Sequence, residues 1–181
     1  MSVNLKTASY QERKAEYERI AKEIGDDQFF TKKELNYLPE ILQDGEQVLA
    51  FTSGIMDGNT WLLTLTDRRI IFLDKGMIFA LKQQSIPLNK VNAISGKTGL
   101  CFGALQITEG AKTHKIENVW KKTVKAFTNK AQEAICKPVE HGESSKSSDK
   151  YAVLEKLADL KAKGILSAKE YEAEKAKVLN S

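Results

Sequence analysis

Apolar residues recur along this chain at two different periods, and each change of period marks a boundary between segments. Near the start, Tyr10, Tyr17, Ile20 and Ile24 fall on one stripe at helical spacing. This stripe predicts a helix from about Tyr10 to Ile24, which Gly25-Asp26-Asp27 ends.

A second, short helix is predicted after Thr31. Glu34 follows Thr31 by three positions, the spacing of a capping box in which each side chain hydrogen-bonds the other residue's backbone N–H. Pro39 and then Asp44-Gly45 break this helical pattern. We interpret residues 1–36 as an N-terminal helical extension.

From Glu46 onward the chain consists of short segments rich in β-branched, aromatic and aliphatic residues. Turn residues such as Asp57-Gly58-Asn59 and Lys75-Gly76 separate them. The segments are QVLAFTSGI, TWLLTLT, RIIFLDK, MIFALKQQSI, VNAISGK, LCFGALQIT and THKIE. Seven strands at this spacing predict an antiparallel sandwich or barrel.

The helical period returns in NVWKKTVKAFTNKAQEAI. One face of this segment holds Trp120, Val124, Phe127, Ala131 and Ile135. We predict an amphipathic helix of about 17 residues that caps the open end of the barrel. Strands and helix together define a predicted domain over residues 37–136.

The remaining chain is predicted to form a linker and a helical hairpin. Residues 137–149 are polar and serine-rich, as in a flexible linker. Residues 150–181 show two helical stretches, with Gly164 as the cap of the first and Ser167 at capping-box spacing from Glu170 in the second. A hairpin of about 30 residues is too small to bury a good core alone, so we expect it to dock or to self-pair.

The central strands are apolar on both faces, although a small barrel needs only one apolar face. Contiguous exposed apolar patches favour association, so the N-terminal helices or another copy of the chain must cover the second face. The candidate interaction surface adds two basic turn residues and three residues of the C-terminal hairpin to this face. Its members are Leu62, Ile71, Leu73, Ile78, Arg68, Arg69, Leu154, Leu157 and Tyr171.

Composition narrows the class of protein only slightly. The 181 residues are 41% hydrophobic and 29% charged, with a net charge of +4, a basic bias too mild to predict nucleic acid or anionic membrane as partner. The N-terminal stretch has no apolar signal region, and no apolar run reaches the roughly 18 residues of a membrane span. Two cysteines without a secretory context predict reduced thiols in a cytoplasmic protein.

The residues that could be catalytic do not form a recognisable active-site pattern in the sequence. Gly96-Lys97-Thr98 ends like a nucleotide-binding P-loop, but Val91 stands where that motif needs glycine, and a strand rather than a helix is predicted next. Cys101 is expected to be a buried, inert thiol and His114 a surface or half-buried side chain. We therefore predict a protein that is not an enzyme, with no cofactor and no metal site.

Three runs together resemble a bacterial pleckstrin-homology-like (PH-like) domain of the YokE-like type, from about Pro39 to Ile135. They are GNTWLLTLTDRRIIFLDKG, IPLNKVNAISGKTGLCFG and IENVWKKTVKAFTNKAQEAI. The segment from Leu154 to Leu179 is similar to the short C-terminal (SHOCT) domain of bacterial and phage proteins.

The PH-like resemblance implies a seven-stranded, two-sheet β-barrel with a C-terminal helical cap. It also implies a non-enzymatic binding or assembly module. Eukaryotic relatives bind phosphoinositides through basic residues around the first hairpin. In this chain that hairpin, SGIMDGNTW, has no lysine or arginine, so the lipid site does not carry over.

Three functions remain as hypotheses. The leading one is protein–protein contact, including self-assembly, in a cytoplasmic bacterial or phage protein. The second is peripheral binding to an anionic membrane, for which residues 37–136 offer 12 Lys/Arg against 9 Asp/Glu. The third is nucleic-acid binding through Lys121, Lys122 and Lys125, and the absence of interleaved aromatic residues argues against it.

Overall fold

The computed structural model describes residues 3–26, 31–76, 81–136 and Lys175. The chain divides between Pro138 and Val139, and the first unit contains the N-terminal helices as well as the sheet. The predicted linker (137–149) and, apart from Lys175, the predicted hairpin (150–181) lie outside the described residues.

Ten regular elements and one short 3₁₀ turn make up the described part of the first unit. In chain order they are α1 (Tyr10–Ile24), α2 (Lys32–Ile41), β1 (Val48–Met56), β2 (Asn59–Thr66), β3 (Arg69–Lys75), β4 (Leu81–Pro87), the 3₁₀ turn (Leu88–Lys90), β5 (Val91–Thr98), β6 (Phe102–Glu109), β7 (Lys112–Trp120) and α3 (Lys121–Cys136).

The strands form one antiparallel sheet in the order β4-β3-β2-β1-β7-β6-β5, which confirms the predicted seven strands. A single residue pair, Ile55 with Glu117, joins β1 to β7. The sheet therefore consists of two halves, β1–β4 and β5–β7, with β4 and β5 at its two edges. The first hairpin turns at Asp57 (φ 51°) and Gly58 (φ 76°), where glycine fits the left-handed conformation.

Helix α3 closes the inner face of the sheet. Val124, Phe127 and Ala131 are buried on its apolar face, as the helical period predicts. The prediction placed Trp120 on the same helix, and this is wrong: Trp120 ends β7, where it pairs with Phe102 of β6. Ladder pairing and the packing of the two rings outweigh local helix propensity at this position.

The N-terminal helices cover the outer face of β1–β3. The Tyr17 ring on α1 packs nearly perpendicular to the Phe51 ring on β1, with 6.0 Å between ring centroids. Phe51 lies opposite Thr64 in the ladder, so it shares a face with Leu62. Ile20, Ile24, Leu35 and Leu38 of the two helices are buried in the same core. The sequence left open whether the N-terminal helices or another copy of the chain covers the second apolar face. In the structure the N-terminal helices of the same chain cover it.

Polar side chains fix these helices to the sheet. Glu34 of α2 accepts a hydrogen bond from the Lys75 backbone N–H at 2.9 Å, and the Thr31 and Ser53 hydroxyls lie 2.7 Å apart. The predicted Thr31–Glu34 capping box is therefore wrong, because both side chains bond to strands instead. A complete capping box is present at α1, between Ser9 and Glu12.

Candidate interaction surface

Three of the predicted interaction residues are buried beneath the N-terminal helices. Leu62, Ile71 and Leu73 have no exposed surface. They therefore do not form part of an accessible interaction surface of the folded chain, which corrects the expectation. The physical reason is that α1 and α2 satisfy the apolar face within the chain.

The two basic turn residues have different environments. Arg69 is largely buried, and its guanidinium forms two hydrogen bonds of 2.9 Å with the Glu46 carboxylate and one of 2.8 Å with the Ile41 carbonyl. Arg68 is exposed and donates to the Gln43 side-chain oxygen at 3.2 Å. Arg69 thus anchors the end of α2, and only Arg68 presents a charge to solvent.

The Glu46–Arg69 pair also lowers the pKa of the Glu46 carboxyl. Burial raises the pKa of Glu46, but hydrogen bonds from Arg69, from the Gln43 backbone N–H and from Thr66 outweigh it. The pKa of Glu46 therefore lies below its ordinary value of 4.5.

Four of the predicted interaction residues cannot be placed on this surface. They are Ile78, Leu154, Leu157 and Tyr171, which all lie outside the described residues.

An exposed apolar cluster lies at the turn between β5 and β6. The Gly99 N–H donates to the Phe102 carbonyl at 2.8 Å and closes a four-residue turn, Gly99–Phe102, which we call the hairpin tip. Leu100 is 91% exposed and Phe102 44% exposed. The Phe102 ring packs on Trp120, with 4.7 Å between centroids. Sequence reasoning missed this cluster because it assigned Leu100 and Cys101 to a strand.

Cys101 is exposed in this tip, so the expected buried thiol is wrong. Strand β6 begins only at Phe102, one residue later. The Cys101 carbonyl accepts a hydrogen bond from the Lys121 N–H at 3.2 Å, which ties the tip to the start of α3. A leucine between two glycines, Gly99 and Gly103, was the signal that could have marked an exposed turn.

Exposed lysines lie in the two elements that flank the hairpin tip, the end of β5 and the first turns of α3. Lys97, Lys121, Lys122 and Lys125, the basic rim, are all exposed and form no ion pair with any carboxylate of the described residues. The segments 91–108 and 118–132 contain no Asp or Glu. The first turn of α3 has no acidic residue, although the helix dipole favours acidic residues there. Among the described residues, the rim is a local concentration of positive charge without an ion-pair partner.

The residues weighed as catalytic have other surroundings. A strand follows Gly96-Lys97-Thr98, so the helix that a P-loop requires is not at this place. His114 is buried, contrary to expectation: its ring stacks on Phe72 at 5.2 Å, and its Nε2 lies 3.1 Å from a Glu109 oxygen. Within the described residues, no three His, Cys, Asp or Glu side chains are grouped to hold a metal ion.

A two-part antiparallel sheet closed by a C-terminal helix defines a PH-like fold, mainly β with α. The chain belongs to the bacterial PH domain family, whose model matches residues 42–133. That family is in general non-catalytic. Helices α1 and α2 both precede the matched range.

Two solved structures are similar to the chain. One is a pleckstrin homology domain from Shewanella amazonensis SB2B, with 18% identity, a TM-score of 0.42, and coverage of 57% of this chain and 97% of that one. The other is a DUF1696 family protein with a pleckstrin-homology domain from Shewanella loihica PV-4, with 19% identity, a TM-score of 0.37, and coverage of 57% and 90%. No curated protein matched the chain. Among the described helices, none is long and apolar enough to cross a membrane.

Proposed function

We propose that the protein is a non-catalytic interaction module that assembles with a second copy of itself and with another protein. Membership of the bacterial PH domain family supports a binding role. The proposal includes the finer assignments made from sequence: a YokE-like PH domain, a SHOCT-like hairpin over 150–181, and a cytoplasmic bacterial or phage setting.

The observation that carries self-assembly is the exposed edge strand β4. Every residue from Leu81 to Ser85 is exposed, and Leu81 is 45% exposed. Among the described strands, β4 pairs only with β3. An edge strand presents a row of backbone N–H and C=O groups, which a second strand can pair with.

The strand has few of the devices that block such pairing. Lys82 is its only charged residue, and Asp74 neutralises it at an N···O distance of 3.7 Å. Pro87 stands at the end of the strand, where it leaves the central residues free to pair. Self-assembly through β4 replaces assembly through the buried outer face of β1–β3.

Light scattering at several protein concentrations tests the contact. We expect the average molar mass to rise with concentration for the natural chain. The double variant Gln83→Lys/Gln84→Lys should stay monomeric, because like charges would face each other across paired strands. Both glutamines are exposed, so the fold should tolerate the change.

Gln132→Lys is the control, since it adds one positive charge at an exposed position of α3, away from β4. It should associate as the natural chain does. A natural chain that stays monomeric at every concentration would remove self-assembly from the proposal. Unchanged association of the double variant would exclude β4 as the contact.

The protein partner is best sought by affinity capture from the native host. Full-length protein and a chain that ends at Asp149 should be compared, because the predicted hairpin begins at residue 150. A partner retained only by the full-length chain would assign recruitment to the hairpin. A partner retained by both chains would assign it to the first unit.

A further inference from the structure

The hairpin tip and the basic rim combine two features that a β-turn does not need for folding. Leu100 packs against little else, since 91% of its surface is exposed. The tip is nevertheless well defined, because the Gly99–Phe102 and Cys101–Lys121 backbone hydrogen bonds hold it against the start of α3. Apolar side chains are thus presented to solvent at a fixed place.

We propose that the hairpin tip inserts into the interface of an anionic membrane, with the basic rim contacting lipid headgroups. Leucine, phenylalanine and tryptophan side chains enter the boundary between headgroups and acyl chains, where tryptophan is enriched in membrane proteins. Lysines at the same depth gain from the negative surface potential of anionic lipid. The site differs from the first hairpin, whose turn carries Asp57 and no cation.

Shape and charge favour a membrane over a protein partner. A stable protein interface buries about 800 Å² on each side, and its core is depleted of charged residues. The tip is a single four-residue turn with exposed lysines on both sides, at Lys97 and Lys121. A bilayer can surround such a projection without a complementary pocket.

The aromatic geometry favours a membrane over single-stranded nucleic acid. Base stacking needs free ring faces, whereas the Phe102 and Trp120 rings pack against each other at a tilt, with 4.7 Å between centroids. Leu100, which is 91% exposed, has no π-face to offer a base. Nucleic acid is therefore an alternative outcome of the test below.

Vesicle flotation of the full-length chain tests the proposal. Vesicles of phosphatidylcholine alone should bind little, and vesicles that also contain phosphatidylserine should bind the protein in a salt-sensitive manner. Leu100→Ser should weaken binding to the anionic vesicles about tenfold, because one leucine no longer leaves water. Lys97→Gln/Lys121→Gln should weaken it about fivefold for each lysine removed.

Two control variants match these changes away from the tip. Tyr10→Ser alters an exposed aromatic side chain on α1, and Lys112→Gln removes an exposed lysine at the other end of the β6 and β7 hairpin. Both should bind as the natural chain does. Because self-assembly is measured separately by light scattering, failure of either proposal is distinguishable from failure of the other.

Insertion itself can be read at Cys101. The chain has two cysteines, so Cys136→Ser leaves Cys101 as the single site for an environment-sensitive fluorophore. We expect a blue shift of emission with anionic vesicles. No vesicle binding, binding unaffected by Leu100→Ser, or no blue shift would each overturn insertion of the tip. Binding to a single-stranded oligonucleotide but not to anionic vesicles would assign the surface to nucleic acid instead.

Discussion

At the scale of single residues, Thr64 and Thr66 on β2 have equal burial but different hydrogen bonds. Both are fully buried, two positions apart on one strand. The Thr66 hydroxyl donates to Glu46 at 2.8 Å and accepts from the Arg69 backbone N–H at 2.9 Å. The Thr64 hydroxyl has no hydrogen-bond partner among the described residues.

Replacing each threonine by valine should therefore change stability in opposite directions. Thr64→Val removes an unsatisfied buried hydroxyl at nearly constant shape, and we expect it to stabilise the protein by about 1 kcal/mol. Thr66→Val should destabilise the protein by about 1–3 kcal/mol, because the Glu46 carboxylate and the Arg69 backbone N–H each lose a hydrogen-bond partner. Urea denaturation of both variants measures the difference. A loss of stability in Thr64→Val equal to that in Thr66→Val would contradict this account.

The Glu46–Arg69 pair predicts a pH dependence. The pKa of Glu46 is lower in the folded protein than its ordinary value of 4.5. The ion pair therefore contributes stability above about pH 4.5, and the contribution is lost as the pH falls through the lowered folded pKa. Glu46→Gln should lose about 3–5 kcal/mol at neutral pH, because it leaves a buried guanidinium without its counter-ion.

The measurement compares denaturation of the natural chain and Glu46→Gln from neutral pH down to acid. Other carboxylates, such as Glu23, also have a lowered pKa and contribute to acid sensitivity in both chains. The informative quantity is thus the difference between the chains, which should shrink below about pH 4.5. A constant difference would show that Glu46 is not the titrating group.

Sequence reasoning could identify such residues but not their partners. Arg68 and Arg69 are adjacent and look equivalent in a turn, yet only Arg69 meets Glu46, which lies 23 positions away. Cys101 was expected to be buried and is exposed, and His114 was expected at the surface and is buried. The exposure of a side chain depends on where its strand starts and what the fold places above it.

At the scale of elements, glycines determine how closely α3 approaches β5 and β6. A Cβ atom on Gly96 would lie 2.5 Å from Val124 Cγ1 and 3.0 Å from the Thr128 hydroxyl. A Cβ on Gly103 would collide with the Lys97 carbonyl oxygen. The glycines that first resemble a phosphate-binding loop therefore allow a helix to pack against a hairpin.

Gly96→Ala should destabilise the fold by about 1–3 kcal/mol through overpacking. Val124→Ala removes the methyl group that is nearest to the added Cβ. We expect the double variant to be more stable than the sum of the single changes predicts, by about 0.5–3 kcal/mol. Denaturant titrations of the four chains give this coupling.

Gly110→Ala combined with Val124→Ala is the control cycle. A Cβ atom on Gly110 would meet nothing within 4 Å, but the backbone there has φ +54°, so alanine is strained without a clash. The loss of stability caused by Gly110→Ala, about 1 kcal/mol, should simply add to the loss caused by Val124→Ala. Equal coupling in both cycles would show that the Gly96 effect is not contact with Val124.

Element types and the ends of α1 followed from periodicity, whereas the boundary between β7 and α3 did not. The predicted span of α1, Tyr10 to Ile24, is confirmed. Trp120 and Tyr10 fit helical stripes in the sequence, but Trp120 belongs to a strand and Tyr10 is 70% exposed. At these ends tertiary pairing decides, and local pattern carries no information about it.

At the scale of the whole molecule, β1–β3 form the middle layer of three in the first unit. Helices α1 and α2 cover one face of these strands. On the other face lie β7, whose His114 stacks on Phe72 of β3, and α3, which packs mainly on β5 and also contacts β1, β6 and β7. The sequence showed that the second apolar face needed a cover but left open whether this chain or another supplied it. The answer depended on contacts between segments that are remote in sequence, such as Glu34 with Lys75.

Deletion of residues 1–41 tests this layering, since it removes α1 and α2 and leaves the matched family range intact. Leu62, Ile71 and Leu73 would then face water. Burial of each such side chain stabilises a fold by about 1.5–3 kcal/mol. The loss for all three is comparable with the total stability of a domain, about 5–15 kcal/mol.

We expect the deleted chain to bind a hydrophobic dye and to aggregate at concentrations where the natural chain does not. The control is a chain that ends at Cys136, which keeps all three layers and should not bind the dye. If the deletion variant remained soluble, did not bind the dye and was as stable as the natural chain, the N-terminal helices would not be needed for folding. The bacterial PH domain would then be complete without them, and the outer face of β1–β3 would again be a candidate interaction surface.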